Sequence, residues 1–230
     1  MAGTLAIIPA RAGSKRLPNK NHRPFLGRPL VLWTLDFALA HPGFKMVLVS
    51  TDSPEVAAIA RNAGANVPWM RPAALASDTA SSIDVALHAV DAMASAGHSF
   101  GRVALLQPTT PLRRPERWAQ ADAMLDAGAP AALGVRPAPS HPYWTYIRGE
   151  EGTLSPCFPE GLSLRSQDLP MACVPNGSLY LCALDSLREQ RSFTPVGTRG
   201  VVCNEPAEAI DIDTPEDWVE AERILAGCMP

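Results

Sequence analysis

No apolar run in this chain approaches the roughly 20 residues needed to cross a bilayer, and the N-terminus lacks the basic-then-apolar pattern of a secretory signal. Membrane partners and export are not expected, and the cytoplasm is the expected compartment. CxxC pairs are missing too: Cys157, Cys173, Cys182, Cys203 and Cys228 are odd in number and widely spaced. That argues against a disulfide framework and against a thiolate zinc site. Nor does one sign of charge dominate. The chain has 20 Lys and Arg against 23 Asp and Glu, a net charge of −3, so no diffuse field favours nucleic acid as a partner. Internal repeats and low-complexity tracts are absent. Any anion chemistry must be local.

What is present is a chain of 230 residues, 47% hydrophobic and 19% charged, enough for one large domain with a real core. "TLAII" at 4–8, closed by Pro9, has the continuous apolar character of a buried parallel strand. "LVLWTLDFALA" after Pro29 predicts a helix, and "KMVLVSTD" a second strand. Ser53-Pro54-Glu55 then combines an N-cap, a first-turn proline and an acid facing the helix dipole. Ile83, Leu87, Val90 and Ala94 predict a further helix from about Ser81 to Ser95.

"RVALLQPTTP" supplies another strand, a helix is expected around Arg114–Asp126, and "PAALGV" is again a strand. This alternation predicts an α/β domain with a mostly parallel sheet flanked by helices. It breaks from Arg136 to Pro175, where proline, glycine and serine accumulate around "HPYWTYI". One domain spanning 1–230 is therefore expected, with an inserted lobe at about 136–175. "NGSLYL" then suggests a turn and strand, Asp185–Arg191 a short helix, and "EAIDIDTPEDWVEAERIL" a strand, turn and closing helix.

Ligands of open α/β sheets bind outside the carboxyl ends of the strands. There the first strand is followed by Arg11, Lys15, Arg16, Lys20 and Arg23. Gly13 allows a backbone to approach an anion, Ser14 adds a hydroxyl, and Arg11 or Lys15 supplies charge. The spacing matches neither GxxxxGK[ST] nor GxGxxG, so the loop reads as a phosphate cradle of another kind, or as a solvated basic loop. At the far end, Asp211 and Asp213 would share one face of a strand, with Ile210 and Ile212 on the other. Such a pair suits a hard ion such as magnesium better than zinc. Two solvated acids at a helix start are the plainer alternative. Taken together, the cations and the acids suit a nucleoside triphosphate attacked at its α-phosphate.

Six strings carry a resemblance: "IPARAGSKRLPNKN", "VSTDSPEVAAIARNAGANVPWMRPAALASDTASS", "LLQPTTPLR", "QDLP", "PNGSLYL" and "IDIDTPEDW", in that order. The chain resembles the acylneuraminate (CMP-sialic acid) cytidylyltransferases and their pseudaminic and legionaminic acid relatives. The resemblance implies a Rossmann-like nucleotidyltransferase fold and transfer of CMP from CTP to the anomeric hydroxyl of a nine-carbon 2-keto sugar acid. It places Arg11, Gly13, Ser14, Lys15, Lys20 and Asn21 on the triphosphate, Lys15 and Lys20 among them as catalytic groups. Arg71, Ser82 and Asn176 fall to the nucleotide and Gln107 to the sugar. Asp211 and Asp213 are implied as magnesium ligands, and Asp211 is also the candidate general base. A homodimer formed through the inserted lobe is implied as well.

The chain departs from that pattern with Ala12 where a second glycine is common. It also has Val174 where some sialic acid enzymes place an arginine, and Arg165 is the candidate substitute. The other readings are a CTP enzyme for an eight-carbon 3-deoxy sugar acid and a binding module without catalysis. The five histidines lack ligand spacing, and Tyr143, Trp144 and Tyr146 suit packing in the lobe or at a dimer interface.

Overall fold

A computed structural model describes residues 3–13 and 16–227. The chain begins with strand β1 (Thr4–Pro9) and, after the cationic loop, a hairpin of β2 (Pro24–Phe25) and β3 (Arg28–Pro29). Leu26 and Gly27 make its turn at φ of 48° and 82°. Helix α1 (Leu30–Ala40), strand β4 (Phe44–Ser50) and helix α2 (Pro54–Asn62) follow. A short α3 (Ala73–Ala76) precedes α4 (Ser82–Ser95), β5 (Arg102–Leu105), α5 (Pro115–Asp126) and β6 (Ala131–Pro137). The lobe holds a hairpin of β7 (Tyr146–Arg148) and β8 (Leu154–Pro156) among 3-10 turns. Strand β9 (Cys173–Ala183), α6 (Leu184–Gln190), β10 (Arg199–Val202) and α7 (Pro215–Ala226) complete the chain.

Six strands form the central sheet in the order β10-β6-β9-β5-β1-β4. β1 runs parallel to β4 and β5, and β10 parallel to β6; β9 alone is antiparallel, wedged between β5 and β6. Period-2 alternation divides β1 between two layers. Ala6 and Ile8 pack against Val31 and Leu35 of α1, Val56 of α2 and Trp118 of α5. Leu5 and Ile7 pack against Ala86, Val90 and Met93 of α4. Trp118 is 1% exposed, so truncating it to alanine would cost about 3–5 kcal/mol.

Helix starts follow local chemistry. Ser53 Oγ accepts the Val56 N–H at 3.2 Å and Ser81 Oγ accepts that of Asp84 at 3.0 Å. A third apolar cluster joins the two ends of the chain: Leu17, Phe25 and Leu30 pack with Ile210, Ile212 and Trp218. Phe25 meets Trp218 edge-on at 5.2 Å, and the Arg23 guanidinium lies 4.7 Å from the same indole. Arg23 thus fastens the two termini together.

Two sequence expectations are corrected. No strand forms at 208–213: Pro206–Ala209 is a 3-10 turn and the acids follow on irregular backbone. Among the described residues, the one backbone bond tying that stretch to the loop after β5 is Ile212 N–H to the Thr109 carbonyl, 2.8 Å, too little for a ladder. Its side-chain alternation persists, with Ile210 and Ile212 buried. Nor is Asn176-Gly177 a turn. Both residues lie inside β9, where the pairing with β6 shifts register between Leu133 and Val135 and Gly177 takes φ +79°.

Among the described residues, no helix is long and apolar enough to cross a membrane. Cys157 and Cys173 are exposed free thiols, while Cys182 and Cys203 are buried. Cys228 lies outside the described residues.

Candidate active site

The ends of β1 and β5 open into a cleft of about 630 Å³. The loop after β1 forms one wall. Asn21, 8% exposed, donates from Nδ2 to the Arg11 carbonyl at 2.9 Å and so holds the start of the loop. Arg11 Nη1 reaches Asp78 Oδ1 at 2.8 Å, and the Ala12 N–H donates to Asp52 Oδ1 at 2.7 Å. A Cβ added at Gly13 would meet nothing within 4 Å, so the backbone there stands open to the cleft. These donors are the kind a phosphate would use, and here protein carboxylates occupy two of them.

The loop then reaches the other end of the chain. Lys20 Nζ donates to the Ile212 carbonyl at 2.8 Å and to Asp213 Oδ1 at 3.0 Å, and Arg16 Nη2 lies 2.9 Å from Asp213 Oδ2. Thr214 and Asp217 fix the acid's backbone through a reciprocal capping box: Asp217 Oδ2 accepts the N–H groups of Asp213 and Thr214 at 3.0 and 2.7 Å, and Thr214 Oγ1 accepts that of Asp217 at 3.2 Å.

Arg71, Ser82 and Asp78 also line the cleft. Arg71 is buried: its Nε donates to Ser50 Oγ at 3.0 Å, its Nη2 to the Ser50 carbonyl, and its backbone N–H to the Thr51 carbonyl at 2.7 Å. Burial pulls this guanidinium down to about 10, against the opposing pull of Asp52, which leaves it charged at neutral pH. Ser82 opens α4 directly after its cap.

Gln107, Pro108 and Thr109 form the floor. Gly177 marks where β9 meets this turn. A Cβ there would lie 3.0 Å from Thr110 Cγ2, 3.7 Å from Gln107 Oε1 and 3.9 Å from Asp211 Oδ2. A positive φ and this crowding together require glycine. They also bring the Gln107 amide and the Asp211 carboxylate to one spot.

The cytidylyltransferase family model matches residues 5–135. Over 222 residues the chain is 36% identical to the CMP-N,N'-diacetyllegionaminic acid synthase of Legionella pneumophila, covering 96% of this chain and 95% of that protein. The chain belongs to the cytidylyltransferase family. It is also 32% identical to the pseudaminic acid cytidylyltransferase of Campylobacter jejuni, with 96% and 95% covered. A solved CMP:2-keto-3-deoxy-manno-octonic acid synthetase complexed with CTP superposes with a TM-score of 0.69 at 20% identity, over 99% of this chain and 100% of that one. That likeness is one of fold, and it agrees with the mostly parallel sheet flanked by helices.

Of the cytidylyltransferase positions expected from sequence, Arg11, Gly13, Lys20, Asn21, Arg71, Ser82, Gln107 and Asp213 line the cleft together. Ser14 and Lys15 lie outside the described residues. Asn176 is 6% exposed and away from the lining: its amide donates to the Glu208 carbonyl at 3.2 Å, and its Oδ1 accepts from the Ser178 N–H and hydroxyl at 3.1 and 2.9 Å. It braces the segment leading to Asp211. Glu208, 2% exposed, is gripped in turn by Arg117 at 3.0 Å.

Arg165 is exposed in the lobe and does not line the cleft. Arg16 and Asp78 are lining residues that sequence reasoning did not assign. Their charge is visible in the sequence, but no spacing rule points it into a cleft.

Asp211 and Asp213 are the candidate metal ligands. Two carboxylates without His or Cys fit a hard ion that completes its shell with phosphate oxygens and water, and among the described residues no cluster of three or more His, Cys, Asp or Glu exists. Asp211 is exposed, and among the described residues no cation pairs with it. Asp213 already serves two cations, so an ion there competes with Arg16 and Lys20.

Proposed function

We propose that this chain transfers CMP from CTP to the anomeric hydroxyl of a nine-carbon 2-keto sugar acid of the sialic, pseudaminic or legionaminic type. The observation that carries the reading is the meeting of Arg11, Arg16, Lys20 and Arg71 with Asp213 and Gln107 around one cleft, in a chain similar end to end to a synthase of a CMP-linked acidic sugar. The sugar hydroxyl oxygen bonds to the α-phosphorus, the bond to the β-phosphate bridging oxygen breaks, and pyrophosphate leaves. Arg11 and Lys20, with Lys15, neutralise the phosphates, while Asn21 keeps the loop in shape. Gln107 orients the sugar, and Asp211 receives the hydroxyl proton.

Asp211 and Asp213 would hold a magnesium ion with the triphosphate. When bound, that ion neutralises charge on the phosphates and polarises the attacking hydroxyl. Occupation of Asp213 would release Arg16 and Lys20 towards the nucleotide.

Ile147, Leu154 and Met171 are exposed on the lobe, an apolar surface that suits a second copy of the chain and supports a homodimer. The free thiols Cys157 and Cys173 suit a reducing compartment, the cytoplasm.

Incubating purified protein with CTP, magnesium and a panel of nine-carbon sugar acids should release pyrophosphate. An eight-carbon 3-deoxy acid in the same panel separates the neighbouring chemistry. Folded protein that binds CTP but stays silent with every acid would sink the reading and leave a binding module.

A further inference from the structure

Behind the floor of the cleft lies an arginine with no acid. Arg113 is 7% exposed. Its Nη1 donates to Thr34 Oγ1 of α1 at 3.0 Å, and its Nη2 to the Gln107 carbonyl at 2.6 Å and to Thr110 Oγ1 at 3.0 Å. All three partners are neutral oxygens, and Nε is buried without any partner. Among the described residues no carboxylate pairs with it. A buried charge left uncompensated is expensive, and an apolar side chain of similar size would fill this space at lower cost. Burial pulls the guanidinium down to about 9, still charged at neutral pH.

Apart from the bond to Thr34, its contacts are confined to one feature. Arg113 fixes the carbonyl of Gln107 and the hydroxyl of Thr110; that hydroxyl is 3.2 Å from the Gly177 carbonyl, and Gly177 sits beside Asp211 and the Gln107 amide. The phosphate side of the cleft has its own cations, Arg11, Arg16, Lys20 and Arg71, and none of the Arg113 bonds reaches them.

We propose that Arg113 is a positioning residue for the sugar-acid half of the site: it locks the Gln107–Thr110 turn from behind and sets an unneutralised positive charge beneath the place where the anionic acceptor is held. The proposal rests on the transfer reading above and adds to it a residue that touches neither substrate.

The test compares Arg113→Met and Arg113→Lys with wild type. For Arg113→Met, KM for the sugar acid should rise about tenfold, as the turn loosens and the charge beneath the acceptor is lost, while KM for CTP stays within about twofold. Arg113→Lys keeps the charge but lacks the planar fork, so it should fall between the two. Thr34→Val removes one Arg113 partner with little change of volume; it should shift the sugar KM in the same direction, and it serves if Arg113→Met does not fold.

Hydrogen exchange reads the turn without any reaction. The Thr110 amide, bonded to the Gln107 carbonyl at 3.2 Å, should exchange faster in Arg113→Met, with α7 amides unchanged. Equal losses for CTP and sugar, or unaltered exchange at Thr110, would overturn the proposal. A wild type silent with every sugar acid would sink the transfer reading alone, and exchange would still decide whether Arg113 positions the turn.

Discussion

Lys20 Nζ lies 3.0 Å from Asp213 Oδ1 across 193 positions of sequence. The lysine side chain is only 10% exposed, and its second bond goes to the backbone of the acid's own neighbour, Ile212. A cation from the first loop is thereby docked onto a carboxylate of the cleft lining. Leu17, Phe25, Ile212 and Trp218 pack beneath this pair, so the apolar cluster and the ion pair set one another's position.

Asp213→Asn and Asp211→Asn should each lower kcat by about 100-fold or more, the usual loss when a group that stabilises charge in the transition state is removed. Both variants should unfold within a few degrees of wild type. Magnesium titration of activity is the measurement, and titration curves unchanged in both would remove the two acids from metal binding.

Arg11→Ala should weaken CTP binding roughly 10- to 100-fold, because one charge-assisted contact is worth about 1.5–3 kcal/mol. Asp78→Asn acts oppositely: the Arg11–Asp78 bond of 2.8 Å competes with phosphate, so its loss should tighten CTP binding slightly. Calorimetric titration distinguishes the two signs. Equal affinity in both variants would return Arg11 to the status of a solvated charge.

The capping box of α7 should make stability sensitive to acid. Burial pushes the Asp217 carboxyl up, but the Asp213 N–H, the Thr214 hydroxyl and N–H and the Arg16 charge together leave it below its ordinary 3.8. The stabilisation is therefore complete above about pH 4 and is lost as pH falls through the lower folded-state value. Thr214→Ala should cost about 1 kcal/mol at neutral pH. Urea melts of wild type and Asp217→Asn between pH 2 and 7 should converge at the acid end; parallel curves would count against this carboxylate.

Gly134→Ala tests the brace behind the acids. A Cβ there would come 2.5 Å from Asn176 Oδ1 and 3.1 Å from Leu179 Cβ, so the Asn176 amide must shift and its bond to the Glu208 carbonyl is lost. Melting temperature and kcat should both fall, with CTP affinity little changed. Wild-type kcat in a stable variant would separate Asn176 from the placement of Asp211.

On the lobe, Ile147→Asp and Leu154→Asp put charge on the exposed apolar hairpin. Sedimentation should show a dimeric wild type and monomeric variants. A wild type that sediments as a monomer would end the dimer proposal.

Local chemistry determined much of this protein by itself. The continuous apolar run of β1, the Ser53 and Ser81 caps, the Thr214–Asp217 capping box and the prolines that follow Ser53 and Thr214 act over three or four residues, so a linear sequence displays them in full. The βα alternation and the resemblance carried by six ordered strings made the α/β fold and the loop donors legible as well.

Tertiary structure decided what depends on distant partners. The stretch at 208–213 has the alternation of a strand, but among the described residues its one backbone–backbone bond to a distant segment goes to the Thr109 carbonyl, and without a neighbouring ladder it stays irregular. Asn176-Gly177 looks like a turn, yet β9 continues through it: β6 pairs with Pro175 before it and Tyr180 after it, and the register shift between them turns the glycine's freedom into a bulge. Arg16, Arg23 and Arg113 are indistinguishable as letters. Their different fates, on a carboxylate, on an indole and on three neutral oxygens, follow from which distant groups the packed core delivers to each, and burial then sets what each charge is worth.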